Sequence, residues 1–136
     1  EYNVRMGDPE TEVVVPRIKS DLLQLFVAAA NKTLGQEKIE INPFFATTVM
    51  AVSGGYPEAY EKGKTITFNG EITDSIVFHA GTTLVDGEVK TSGGRVLTVT
   101  SLGVNKNAAL QISYKNIAKI HFDKMYYRHD IGLDLQ

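Results

Sequence analysis

Thr82-Thr83-Leu84-Val85-Asp86-Gly87-Glu88-Val89-Lys90-Thr91 decides the fold class, since two β-branched runs flank an Asp-Gly pair. A two-residue hairpin turn of the favoured hand needs positive φ at both central residues, and Asp-Gly tolerates that better than most pairs. The stretch therefore predicts two antiparallel strands in tight register. Similar runs lie outward on both sides: Phe44 to Val52, Thr65 to Phe68, Ser75 to His79 and Arg95 to Ser101. All are rich in β-branched and aromatic residues. Gly54-Gly55, Asn69-Gly70 and Gly93-Gly94 punctuate them. The pattern predicts a small antiparallel sheet or flattened barrel.

Helical periodicity flanks this block. A last helix starts near Asn105, with Leu110, Tyr114, Ile117 and His121 on one stripe and Ala109, Ile112 and Ile120 widening it. After it, Tyr126-Tyr127-Arg128 reads as a possible edge strand. Toward the amino terminus, Ser20 is the expected N-cap of a helix carrying Leu22, Leu25, Phe26 and Ala29, which Leu34-Gly35 should end. A shorter helix should open with Asp8 as N-cap and Pro9 in its first turn, and Pro16 disfavours its continuation. The polar stretch Gln36 to Asn42, followed by Pro43, is the expected boundary between a unit at 1–42 and another at 43–136. The chain opens without Met on a patterned segment, which fits a fragment of a longer protein.

Composition narrows the function classes. The chain has 136 residues, with 14 Lys and Arg against 16 Asp and Glu and a formal charge of -2. Such a balance offers no basic field for nucleic acid or an anionic membrane surface. No stretch approaches the roughly 20 apolar residues of a membrane span. There is no cysteine, so neither a disulfide framework nor a thiolate metal site can form.

Several groups of residues could carry chemistry. Glu1, Asn3 and Arg5 alternate in a presumed strand, so a carboxylate, an amide oxygen and a guanidinium share one face. Mg²⁺ (or Mn²⁺) takes oxygen ligands and Arg suits a phosphate, although a solvated strand face can carry the same residues. The glycine pairs Gly54-Gly55 and Gly93-Gly94 stand at strand ends, where backbone amides meet anions or simply turn the chain, and Arg95 could pair with a phosphate. His79, before Ala80-Gly81-Thr82, is best read as hydrogen-bonded to the neighbouring turn. His121 reads as an interior residue or a helix-end cation. Gly63-Lys64-Thr65 is not a P-loop, since seven residues separate Gly55 from Gly63 and Glu58 stands where the first glycine belongs.

The segment Arg5-Met6-Gly7-Asp8-Pro9-Glu10-Thr11-Glu12 resembles the glycinamide ribonucleotide synthetase (phosphoribosylamine-glycine ligase) family, an ATP-grasp family of purine synthesis. Further stretches match in the family's order: Lys19-Ser20-Asp21-Leu22, Gly54-Gly55-Tyr56-Pro57, Phe78-His79-Ala80-Gly81-Thr82, Ser92-Gly93-Gly94-Arg95-Val96-Leu97 and Arg128-His129-Asp130-Ile131-Gly132. The resemblance spans nearly the whole chain. It implies an α+β fragment: the end of an ATP-grasp domain, then a small antiparallel β-rich domain with one long helix, similar to the biotin carboxylase C-terminal domain. It implies a cytoplasmic ligase that activates glycine as an acyl phosphate with ATP and joins it to phosphoribosylamine. Glu1 and Asn3 match Mg²⁺ ligands, Arg5 a phosphate- or substrate-facing arginine. Gly7, Asp8, His79, Thr82 and Arg95 are further substrate-facing candidates. The amino-terminal domains that would grip ATP and glycine are missing partners, so the fragment alone is expected to be inactive. A free-standing β-rich interaction module is the alternative.

Overall fold

The structure is a computed structural model and describes residues 5–7 and 9–135. The amino-terminal part is a chain of short helices. The Gly7 N–H donates to the Glu10 carboxylate at 2.7 Å, and α1 (Thr11–Val14) follows. Pro16 lies in the 3₁₀ turn Val15–Arg17, so the helix is as short as its sequence predicts. Helix α2 (Leu22–Ala30) is capped by Asp21 and not by Ser20: the Asp21 carboxylate accepts the Gln24 N–H at 3.1 Å. The Ser20 hydroxyl is used elsewhere, accepting the Glu40 N–H at 2.8 Å and donating to the Lys38 carbonyl. The expected end at Gly35 is also corrected. Lys32 takes φ 60°, while the Thr33 and Lys32 N–H groups close back on the Ala28 and Ala29 carbonyls. That is a Schellman closure with lysine in glycine's usual place.

Seven strands follow: β1 (Phe45–Val52), β2 (Thr67–Phe68), β3 (Ser75–His79), β4 (Thr82–Val85), β5 (Glu88–Thr91), β6 (Arg95–Gly103) and, after the last helix, β7 (Ile120–His121). They form a three-stranded sheet in the order β1-β6-β3 and two ribbons, β4-β5 and β2-β7, all antiparallel. The expected single sheet or barrel is thus divided. At the β4-β5 turn Asp86 and Gly87 have φ of 52° and 80°, the type I′ geometry that the Asp-Gly pair predicts.

Glycine explains one division. The backbone of 80–81 still bonds to Val96 and Arg95, and Ser92 N–H bonds to the Gly81 carbonyl, so β3-β6 and β4-β5 are two arms of one bent hairpin. A methyl group on Gly81 would lie 2.7 Å from the Gly93 Cα, a contact that no side chain could fit at this corner.

Helix α3 (Lys106–Ile117) packs on the three-stranded sheet, its N-cap Asn105 accepting the Ala108 N–H at 2.8 Å. Its buried face is Ala109, Ser113, Asn116 and Ile117, so of the expected stripe Leu110, Tyr114, Ile117 and His121 only Ile117 is fully buried, together with Ala109 from its widening. His121 is not helical at all. It is the exposed residue of β7 between buried Ile120 and Phe122, the period-2 alternation of a strand. The core gathers Val49, Val99, Leu97, Ile117 and Phe122. Beside it a run of hydroxyls joins helix to sheet: Ser113 meets Thr47 at 3.1 Å and Ser101 at 2.9 Å, Ser101 meets Ser75 at 2.7 Å, and Asn116 Nδ2 donates to Ser75. No helix among the described residues is long and apolar enough to cross a membrane.

Candidate functional site

Arg95 is the first residue of β6, immediately after the hairpin corner. The Ser53 N–H donates to the Gly94 carbonyl at 2.8 Å and its hydroxyl to the Gly93 carbonyl at 2.9 Å, so the two glycine pairs singled out in the sequence are neighbours. Their work is conformational. Both the Ser92 and Gly93 N–H groups already bond to Gly81, and Gly94 lies so close beneath the Tyr56 ring that a methyl group would run into it. Tyr56 is thereby placed beside Arg95.

Arg95 lines two clefts. One, of 440 Å³, is completed by Arg5, Met6, Gly7, Thr11 and Glu12 from the amino-terminal segment. The other, of 260 Å³, is walled by Tyr56, Tyr126, Tyr127, Met50 and Val52 and also by Arg128. Arg128 and Met50 continue into a larger apolar groove of 830 Å³ along β1. A bidentate ion pair holds Arg128: Nε and one terminal nitrogen each reach an Asp130 carboxylate oxygen at 2.9 Å. Asp130 raises the guanidinium pKa, and Arg128 holds the Asp130 carboxyl below its usual value.

Among the sequence-predicted site residues, Arg5, Gly7 and Arg95 come together across about ninety residues of chain. His79 and Thr82 meet each other, Nδ1 to Oγ1 at 3.0 Å across the bend, as the structural reading of His79 expects. Neither lines the clefts that Arg95 shares. Glu1, Asn3 and Asp8 lie outside the described residues. Arg128, Asp130 and Tyr56 had no role in the sequence reading beyond their place in matched stretches. The spacing of Arg128 and Asp130 was a usable signal, because residues i and i+2 of an extended segment share a side. Among the described residues no group of three His, Cys, Asp or Glu side chains could hold a metal.

These features define a small α+β domain with antiparallel sheets and few helices, with clefts lined by Arg5, Arg95 and Arg128. Residues 46–134 match the family model described as phosphoribosylglycinamide synthetase, C domain, and the chain belongs to that family. It is 46% identical over 133 residues to the bifunctional purine biosynthetic protein ADE1 of Schizosaccharomyces pombe, covering 97% of this chain and 17% of the relative. It is 42% identical to the phosphoribosylamine-glycine ligase of Caldanaerobacter subterraneus, covering 97% of this chain and 32% of the relative. The crystal structure of the Thermotoga maritima phosphoribosylamine-glycine ligase superposes with a TM-score of 0.75 at 40% identity, over 96% of this chain and 32% of that one. The chain therefore spans about a third of the length of these ligases.

Proposed function

We propose that this chain is the carboxyl-terminal part of a cytoplasmic, ATP-dependent phosphoribosylamine-glycine ligase, with residues 1–42 completing an ATP-grasp domain and 43–136 forming a domain like that of biotin carboxylase. The observation that carries the reading is the cleft shared by Arg5 and Arg95, which draws the two units to one place. In the proposed reaction the glycine carboxylate attacks the terminal phosphoryl group of ATP, giving glycyl phosphate and ADP. The amine of phosphoribosylamine then attacks the acyl carbon and expels phosphate. Both steps handle phosphate-bearing species, which is the chemistry a planar guanidinium recognises. Arg5 would face the transferring group, and Arg95 the ribose phosphate.

Glu1 and Asn3 supply the hard oxygen donors that suit Mg²⁺, four and two residues before Arg5. When bound, the ion would offset negative charge on the phosphates. The free-standing module reads less well, because among the described residues eleven of the nineteen exposed large hydrophobic side chains lie in residues 6–45, too many for a unit with no partner. The missing amino-terminal domains are the proposed partner. The isolated chain should show no ligase turnover, and turnover in a sample free of the full-length enzyme would sink that division of labour. In the full-length enzyme Arg95→Ala should raise the phosphoribosylamine KM by about tenfold or more. Unchanged kinetics would remove Arg95 from the substrate site.

A further inference from the structure

Asn69-Gly70 follows β2 on the way to β3, and it is the one place in the sequence where asparagine precedes glycine. Both residues are exposed. The Asn69 main-chain N–H donates to the Lys119 carbonyl at 2.7 Å, and two residues on the Glu71 carbonyl accepts from Lys119 Nζ at 2.6 Å. Between these anchors the chain is open. Among the described residues neither the Asn69 side-chain amide nor the Gly70 N–H makes a hydrogen bond. Gly70 takes φ 99°, and a methyl group added to it would meet no atom within 4 Å.

The other described asparagines are less open. The Asn105 side chain accepts the Ala108 N–H as the cap of α3, and the buried Asn116 amide is bound to Thr73 and Ser75. Asn42 precedes Pro43, whose nitrogen carries no hydrogen to lose. Asn31 precedes lysine and Asn107 alanine, so each is followed by a residue whose side chain crowds its amide nitrogen.

We propose that Asn69 is a site of spontaneous deamidation, with water as the co-reactant. The Gly70 nitrogen attacks the side-chain carbonyl carbon of Asn69. A C–N bond forms, the bond to the side-chain nitrogen breaks, and ammonia leaves carrying the Gly70 proton. Water then opens the cyclic imide. Breaking the new bond gives aspartate; breaking the original peptide bond gives isoaspartate, whose main chain runs through the former side chain. Either product adds a negative charge, but only isoaspartate lengthens the main chain, and it does so between the two anchors to Lys119.

The test is peptide mapping by mass spectrometry of the full-length protein aged at mildly alkaline pH. The peptide carrying Asn69-Gly70 should gain the mass of an amide-to-acid change and split into two chromatographic forms. It should convert at least about tenfold faster than the peptides carrying Asn31, Asn105 or Asn116, because glycine leaves the attacking nitrogen uncrowded. Asn69→Gln should reduce the conversion to that background, since its side chain closes a larger ring. The native protein should convert within about tenfold of the guanidinium-unfolded protein, because an exposed turn needs no opening step. An unchanged Asn69 peptide, conversion no faster than at Asn105, or a native rate below that range would overturn the proposal. The last outcome would mean that the turn is closed in the full-length protein.

Discussion

Residues 5–44 and 45–135 have similar apolar segments and opposite fates. In the second region, β1, β6 and α3 place their apolar residues against one another, and ten of the twelve buried hydrophobic residues lie there. In the first, α2 has a sequence as apolar as any in the chain, yet buries only Leu25 and Ala28. Leu23, Phe26 and Val27 stay 70%, 63% and 51% exposed. Periodicity reports that a face wants cover; it does not report whether the cover belongs to the same segment of chain. The contrast locates cooperative stability in the β-rich region.

The largest effect should therefore come from a charge in that core. Val99→Asp, at a fully buried position paired with both Val49 and Val77, should cost more than about 4 kcal/mol and abolish the cooperative urea transition. Phe26→Asp should move the midpoint of the isolated chain by less than about 0.5 kcal/mol. Comparable losses in the two variants would break the comparison. An intermediate effect belongs to the helix-sheet seam, where Asn116→Ala removes the donor to Ser75 and to the Thr73 carbonyl. That should cost about 1–3 kcal/mol in denaturant titration, because the buried amide of Asn116 is removed and two partly buried acceptors lose their donor.

The smallest effect should be at the surface. Lys124 and Lys64 bracket Glu61 at 2.8 and 2.6 Å and lower its pKa from 4.5 to about 2. Its contribution is complete above pH 4.5 and is lost as pH falls toward 2, since the folded state holds the proton less tightly than the unfolded chain. The melting-temperature gap between wild type and Glu61→Gln should then narrow between pH 5 and pH 2. A gap independent of pH would remove the ion pairs from the account.

Legibility followed how local the cause was. The β4-β5 turn could be read because Asp86 and Gly87 alone satisfy its backbone demand. The helix end at Lys32 could not, because lysine in a left-handed conformation leaves no mark that glycine would. The bend at Gly81 depends on Gly93 twelve residues later, so each glycine taken singly looked like a turn. At the candidate site, Arg5 and Arg95 were each identifiable by chemistry, but their meeting depends on how the amino-terminal segment lies against the head of β6. His79 was legible as bonded to its neighbouring turn, where its ring meets Thr82, whereas both residues, substrate-facing candidates by resemblance, lie apart from the arginine clefts. Arg128 escaped because its partner had to be seen before its orientation had meaning.

The middle strand of the three-stranded sheet is the last of the three to be synthesised, and this sets a clock. β1 ends at Val52 and β6 begins at Arg95, so about 40 residues must be translated before β1 meets its partner, roughly two to nine seconds at ribosomal speed. The β4-β5 hairpin, by contrast, closes within microseconds of emerging. For those seconds β1, and later β3, wait for the partner they share, and the hairpin is finished only as β6 begins to emerge; this is the interval in which a chaperone has something to hold.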